Sequence, residues 1–382
     1  MRDGRLEVTG RVAAAPEPYA LIACSYPYGG PDVDAKGWHD YSGTAWTAAL
    51  GATNRFTMHI GDFKPGAAKL RFVVCHANGA TSNFLYPLQV AADGTPDAAG
   101  FNTRGTVGTL ILCGMDEVFS IDPSAAETGS IKKLWSWRAK DHDELPETVR
   151  GSFGTTDECK PVDAGKKILI ASSGGACVLV ERPSGRVLWH ARVPNAHSLE
   201  LLPRARIAVA SSVSATGNRL LLFDLAHSDH PVWETPLPSA HGVVWDEERQ
   251  RLWALGFQEL RCYRLTDWEG EKPSLTLQSS HPVPEEDAHD LQPVPRSRDL
   301  TVSTAHHVYL FDREKSEFRL HPDLGEKANV KCVSIHPLSG RIVFLQGRGE
   351  TWWSNALGFL SPSGEAALPG EYLYKARWLT EP

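Results

Sequence analysis

The chain is patterned in short apolar or alternating segments that Gly, Pro, Asp and Ser residues separate from one another. From about residue 150 these segments recur in sets of four. After residues 195–203, for example, come RIAVASS, RLLLFDL and PVWETPL. Segments of this length and alternation predict β-strands, and four consecutive antiparallel strands are typical of one blade of a β-propeller.

One polar position at the head of each set gives the repeat its period. Successive positions are separated by about 40, then 44, 48, 42 and 46 residues, which suits one blade per interval. These positions are Asp157 or Glu158, His197, His241, His289, Lys331 and Arg377. Six inner strands predict six blades, with seven as the alternative if the N-terminal region contains another.

The two ends of the repeat region complete each other. The last inner strand, around Arg377, lacks its three partners, whereas residues 109–138 supply three strands (TLILCG, EVFSIDP and KKLWSWR) without an inner one. Pairing the C-terminal strand with these strands would close the ring and remove the open sheet edges. We therefore predict a propeller over residues 108–382.

The N-terminal quarter of the chain does not share this period. Residues 1–95 contain alternating runs such as RFTMHIGDF and KLRFVVCHANG between turn signals, which favours a small β-sandwich. Residues 96–107 are poor in large apolar side chains and are predicted to form a linker. The predicted fold class is all-β: a β-sandwich followed by a six-bladed propeller.

Composition and charge exclude several classes of protein. Hydrophobic residues make up 42% and charged residues 22% of the 382 residues, as in globular proteins. The net charge of -7 argues against a nucleic-acid partner. No apolar run approaches the ~20 residues that span a bilayer, so no membrane partner is expected. No signal peptide is visible, so the location is periplasmic or secreted if a leader was removed, and cytoplasmic otherwise.

The spacing of the cysteines and the absence of several known motifs exclude further kinds of site. The seven cysteines are spread singly, without the paired spacing of zinc sites or a disulfide framework. The chain contains no GxxxxGK[ST] loop, no GxGxxG fingerprint, no GxSxG elbow and no HExxH pair. We therefore expect no nucleotide cofactor.

The repeat places its polar positions at one end of the propeller channel, because all inner strands begin at the same face. Imidazoles, cations and an acid that converge there would be costly to bury unless they are paired or ligated. Two compatible interpretations follow: an anionic ligand held by Lys331 and Arg377, or a divalent metal (manganese, calcium or zinc) held by His197, His241 and His289.

Loops on the same face add further candidates. His307 supplies an additional imidazole, and Arg348 adds charge beside the paired aromatic side chains of Trp352 and Trp353. Aromatic faces near charged groups suit sugar rings. The predicted substrate-binding groups around the channel are Asp157, Glu158, Arg348, Trp352 and Trp353.

The blade segments resemble known propeller families. The runs IDP…LW in residues 121–135 and ERPSGRVLW at 181–189 resemble the repeat of quinoprotein-like propellers. The runs NAHSLELLP, SAHGVVWD, DAHDLQPVP and NVKCVSIHP resemble an uncharacterised bacterial propeller family over residues 108–382. The architecture is similar to oligogalacturonate lyase and related propeller polysaccharide lyases. A weaker similarity, in the segments after His197 and His289, points to bacterial arylsulfotransferases.

These resemblances imply three functions. The first is a carbohydrate-active lyase that cleaves next to a uronic acid in an anionic oligosaccharide or polysaccharide. In it, Lys331 and Arg377, with a metal where one is bound, would neutralise the carboxylate. A ring histidine would be the base, since an imidazole titrates near neutral pH, and His307 the acid. The alternatives are a non-catalytic propeller that binds an anionic glycan or a protein, and sulfuryl transfer through a channel histidine.

Overall fold

The computed structural model divides the chain into two compact units, Met1–Thr106 and Val107–Pro382. It describes residues 6–11, 19–28, 44–49, 55–61, 66–76, 81–90, 96–97, 109–123, 131–228, 230–337, 340–347, 351–361 and 363–379. None of the helices in these ranges is long and apolar enough to cross a membrane.

The described part of the first unit consists of two antiparallel sheets. A five-stranded sheet has the order β3-β2-β5-β6-β7, and β1 pairs with β4 in a two-stranded sheet. The strands are β1 (Leu6–Arg11), β2 (Tyr19–Tyr28), β3 (Thr44–Ala49), β4 (Arg55–Ile60), β5 (Gly66–His76), β6 (Thr81–Val90) and β7 (Pro96–Asp97).

The second unit is a ring of six four-stranded antiparallel sheets, which confirms the predicted all-β fold with a six-bladed propeller. Blade 1 has the order β10-β9-β8-β31, so the C-terminal strand is its inner strand. Its strands are β8 (Thr109–Gly114), β9 (Val118–Ile121), β10 (Lys133–Trp137) and β31 (Leu373–Leu379).

Blades 2 to 4 each run from the inner to the outer strand in chain order. Blade 2 has β11 (Glu158–Val162), β12 (Lys167–Ser172), β13 (Ala176–Glu181) and β14 (Val187–Arg192). Blade 3 has β15 (Ala196–Leu202), β16 (Arg206–Ser211), β17 (Arg219–Asp224) and β18 (Trp233–Pro236). Blade 4 has β19 (Gly242–Asp246), β20 (Arg251–Leu255), β21 (Glu259–Thr266) and β22 (Ser274–Pro282).

The last two blades follow the same order. Blade 5 has β23 (Asp290–Pro293), β24 (Asp299–Ser303), β25 (Val308–Asp312) and β26 (Glu317–Leu320). Blade 6 has β27 (Val330–Ile335), β28 (Ile342–Gln346), β29 (Ala356–Leu360) and β30 (Gly364–Ala367). A 3-10 helix (Ala139–Asp141) and the one-turn helix α1 (Glu147–Arg150) lie between blades 1 and 2.

The hydrophobic core lies between neighbouring blades. Leu169 and Leu179 of blade 2, for example, belong to one buried cluster with Leu199 and Val209 of blade 3. Alternation along each strand sends these side chains to the face of a sheet, where the next blade covers them. The inner strands are thereby held in a ring, and their first residues gather at one end of the channel, here called the channel mouth.

Blade closure leaves no room for a side chain at Gly114. A Cβ at this position would lie 1.7 Å from the carbonyl oxygen of Tyr372, on the segment that leads into β31. We expect Gly114→Ala to destabilise the propeller by about 1–3 kcal/mol, because backbone must shift to relieve the overlap. Urea denaturation checks this prediction, with Gly364→Ala as the control, because a Cβ there meets nothing within 4 Å. Equal stability of the two variants would contradict it.

Candidate functional site at the channel mouth

Six residues at equivalent backbone positions surround the channel mouth. Asp157, His241 and His289 directly precede β11, β19 and β23, and each donates its backbone N–H to the last or next-to-last residue of the second strand. The other three positions lie at the second residue of β15, β27 and β31, where each strand is bulged. These three residues are His197, Lys331 and Tyr374.

The register corrects one of the predicted ring positions. The repeat alignment put Arg377 in the mouth ring, but Tyr374 holds that position and Arg377 lies three residues further along β31. A buried apolar residue precedes most ring residues, but this signal does not separate the two positions, because Leu373 precedes Tyr374 and Ala376 precedes Arg377. We name Asp157, His197, His241, His289, Lys331 and Tyr374 the mouth ring.

Members of the mouth ring contact one another. The ring centroids of His197 and His241 are 4.3 Å apart, and those of His241 and His289 are 5.4 Å apart. Lys331 Nζ lies 2.8 Å from His289 Nε2, and Tyr374 packs edge-on to His197 at 6.2 Å. The structure therefore brings together the three histidines and the lysine that the repeat spacing singled out.

Two of the histidines are held in a defined tautomer. His197 Nδ1 donates to the carbonyl oxygen of Asn195 at 3.1 Å, and His241 Nδ1 donates to that of Ser239 at 2.8 Å. Since a carbonyl oxygen can only accept, the proton of each neutral ring is on Nδ1 and the Nε2 atom keeps its lone pair. Burial lowers the pKa of His197, and burial with the two neighbouring histidines holds that of His241 well below its usual value. Both imidazoles are therefore neutral bases at pH 7.

Asp157 lies beside this histidine pair. Its carboxylate accepts a hydrogen bond from the backbone N–H of Ser173 at 2.5 Å, and Oδ1 is 4.0 Å from His197 Nε2. Burial raises the pKa of Asp157, although the nearby imidazole opposes that shift. A carboxylate at this distance would stabilise an imidazolium formed at His197.

Lys331 is a buried ammonium, and the part of the chain that the structure describes supplies no carboxylate partner for it. The residue is 2% exposed, and among the described residues no carboxylate oxygen lies within 4 Å of Nζ. Its contacts are His289 Nε2 and the indole face of Trp352, whose centroid is 4.5 Å from Nζ. Burial lowers the pKa of Lys331 to about 8, so the side chain is still mainly charged at pH 7.

Below the mouth ring, the channel holds a neutralised network of charges. Arg377 donates to both oxygens of Glu158 at 2.9 and 3.0 Å and to both oxygens of Asp290 at 3.1 and 2.7 Å. Lys375 Nζ also donates to Asp290, at 2.6 Å. Burial alone would raise the pKa of Glu158 and Asp290, but the Arg377 guanidinium holds both below their usual range. Every oxygen of these two carboxylates is engaged, so this network fits a structural role better than ligand binding.

The remaining predicted residues fall outside this network. His307 Nδ1 lies 2.8 Å from Glu285, in the loop between β24 and β25, and its neighbours there are Tyr309 and Glu326. Trp353 packs against Tyr374 at 5.5 Å. Arg348 lies outside the described residues. Asp290 and Lys375 were missed from the sequence, because nothing in the repeat distinguishes them from other polar residues of the inner strands.

The predicted metal ligands of the mouth ring are His197, His241 and His289. Within the described ranges, no group of three or more His, Cys, Asp or Glu side chains could hold a metal ion. His289 in particular was predicted as a ligand, but its Nε2 faces Lys331 and Asp287. A bound metal stays a prediction that elemental analysis of the purified protein tests.

Fold and site together define a six-bladed β-propeller with a cluster of neutral bases at its channel mouth, beside a buried lysine that has no carboxylate partner in the described ranges. The chain belongs to a family of unknown function, DUF6528, whose model matches residues 121–382. No curated protein matches the sequence. A chain in the crystal structure of a mitotic checkpoint complex is similar, with a TM-score of 0.44 and 11% identity over 73% of this chain and 81% of that chain. The resemblances to quinoprotein-like propellers, lyases and sulfotransferases stay predictions.

Proposed function

We propose that the channel mouth binds an anionic sugar and that the protein is a lyase that cleaves next to a uronic acid. The observation that carries this proposal is Lys331, a buried ammonium with no carboxylate partner among the described residues. A buried charge of this kind is costly unless an opposite charge completes it. Arg377 already has two carboxylates, so the anionic group of the ligand would bind at Lys331 alone.

The groups around Lys331 match a sugar substrate. Trp352 is 55% exposed and lies against Lys331, and Trp353 lies against Tyr374. Aromatic faces beside a cation suit a uronate, since the ring stacks on the indole while the carboxylate meets the ammonium. This combination favours a sugar acid over an inorganic anion.

In the proposed elimination, His197 is the base and Tyr374 the acid. His197 Nε2 would remove the proton from C5, the electrons of that bond would form a C4–C5 double bond, and the C4–O bond would break. The leaving oxygen would take the phenolic proton of Tyr374, and proton return from His197 to Tyr374 would restore the starting state. Burial raises the pKa of Tyr374 well above its usual value, so the phenol is protonated at pH 7. Tyr374 takes the role of acid that was predicted for His307. His307 lies beside Glu285 in the loop between β24 and β25 and is not part of the mouth ring.

The binding part of the proposal predicts the effect of Lys331→Met. We expect the affinity for galacturonate to fall at least about 30-fold, because the substitution removes the cation that meets the carboxylate. Titration calorimetry with galacturonate, and with galactose as the neutral counterpart, measures this change. Lys327→Met is the matched control, since Lys327 also lies against an aromatic ring but outside the mouth ring. Equal binding by both variants would overturn the anion site.

The catalytic part is tested by incubating the protein with polyuronates and following the ultraviolet absorbance of the unsaturated product. An increase with time supports the lyase. Binding of galacturonate without turnover of any polyuronate would instead support a non-catalytic propeller that binds an anionic glycan.

A further inference from the structure

His289 carries a buried ring nitrogen that no described group satisfies. The residue is 3% exposed, yet its Nδ1 atom has no hydrogen-bond partner among the described residues. The ring packs between His241 and Trp352, at centroid distances of 5.4 and 6.0 Å. A buried polar atom without a partner destabilises a protein, and such atoms occur where a bound group or a functional role explains them. The Nδ1 atom of His289 is such an atom.

Two neighbours compete for the other nitrogen of the same ring. Lys331 Nζ lies 2.8 Å and Asp287 Oδ2 lies 3.2 Å from Nε2. An ammonium can only donate and a carboxylate can only accept, so the first contact needs a lone pair on Nε2 and the second needs a proton there. The contact with Lys331 is the shorter one. The side chain of Asp287 is 41% exposed, so water can satisfy its carboxylate. Neutral His289 therefore carries its proton on Nδ1.

We propose that His289 donates its Nδ1–H to a hydroxyl oxygen of the bound sugar whose carboxylate meets Lys331, and that Lys331 positions this donor by setting the tautomer of the ring. The inference rests on the proposed function for the class of ligand. Trp352 is the exposed group that packs against both His289 and Lys331, so the indole must move for a ligand to reach them. The carboxylate would then meet Lys331 and a hydroxyl group would meet His289, two donors from neighbouring blades.

Two amide substitutions of His289 distinguish the contributions of its two ring nitrogens to ligand binding. The amide of Asn extends to the place of Nδ1, whereas that of Gln extends to the place of Nε2. We expect His289→Gln to weaken galacturonate binding about 10- to 100-fold and His289→Asn to stay within about fivefold of the unchanged protein. Equal losses in the two variants, or no loss in either, would overturn the assignment of Nδ1. Thermal unfolding of both variants shows that each is folded.

The tautomer itself can be measured without any ligand. Nitrogen-15 NMR of the full chain should show His289 protonated on Nδ1, with its resonances identified by their absence in His289→Asn. In Lys331→Met the proton should move to Nε2, because Asp287 is then the remaining partner there. A proton on Nε2 in the unchanged protein would overturn the proposal even if the amide variants failed to fold. Absence of galacturonate binding by the unchanged protein would refute the proposed function but not the tautomer.

Discussion

Replacing Arg377 with Met is expected to lower the free energy of unfolding of the propeller by about 3–5 kcal/mol. The guanidinium is buried and joins the inner strand of blade 1 to Glu158 of blade 2 and Asp290 of blade 5. Its removal leaves two buried carboxylates with Lys375 as their nearest cation. Because β31 is also the strand that completes blade 1, the loss of these ion pairs also weakens the closure of the ring. Urea denaturation at pH 7 measures the change.

A surface arginine provides the control for this substitution. Arg186 pairs with Glu181 in a turn of blade 2, and both side chains are exposed. Exposed pairs of this kind contribute about 0–1 kcal/mol, so Arg186→Met should leave the denaturation midpoint almost unchanged. If Arg377→Met were as stable as Arg186→Met, the channel network would not hold the ring closed. Arg377→Lys should recover only part of the loss, because an ammonium cannot reproduce the paired contacts of the guanidinium.

The fold could be predicted from the sequence because the propeller repeats one unit. Each blade has four antiparallel strands, and in blades 2 to 6 they follow in the same order along the chain, so several weak local signals support one another. The pairing of β31 with β8 could be argued from a physical need as well as from the pattern, since an unclosed ring would expose two sheet edges. Alternation along each strand also fixes the face to which a side chain points. Residues at equivalent places in successive repeats therefore point the same way, and most of the mouth ring could be found from the spacing of the repeats.

The error at Arg377 comes from the unequal lengths of the blades. The interval between successive residues of the mouth ring varies from 40 to 48 residues, so Tyr374, 43 residues after Lys331, fits the spacing as well as Arg377, 46 residues after it. Spacing alone therefore could not distinguish the two positions. The pairing of Arg377 with Asp290 joins blades that are far apart in sequence, and no pattern within one repeat reveals a contact of this kind.

Replacing His197 with Gln is expected to reduce kcat on a polyuronate about 10²- to 10⁴-fold while leaving the fold intact. His197 is the least enclosed member of the histidine pair, with 12% of its side chain exposed, and Asp157 is placed to stabilise the imidazolium that forms. An amide at this position can still donate and accept hydrogen bonds, but it cannot take up the C5 proton. Initial rates of product absorbance measure the loss. His227→Gln is the control, because His227 is exposed in the loop between β17 and β18.

The pH dependence of kcat/KM distinguishes a base from a residue that only shapes the site. Burial lowers the pKa of His197 below the usual 6.5, so the base is neutral at pH 7 and activity should fall only at more acidic pH. On the alkaline side, activity should fall above pH 8, as Lys331 loses the charge that binds the carboxylate. His197→Gln should abolish the acidic fall and keep the alkaline one. If the activity of His197→Gln were lower but still fell at both acidic and alkaline pH, a group other than His197 would be the base. The alkaline fall would still assign the binding of the carboxylate to Lys331.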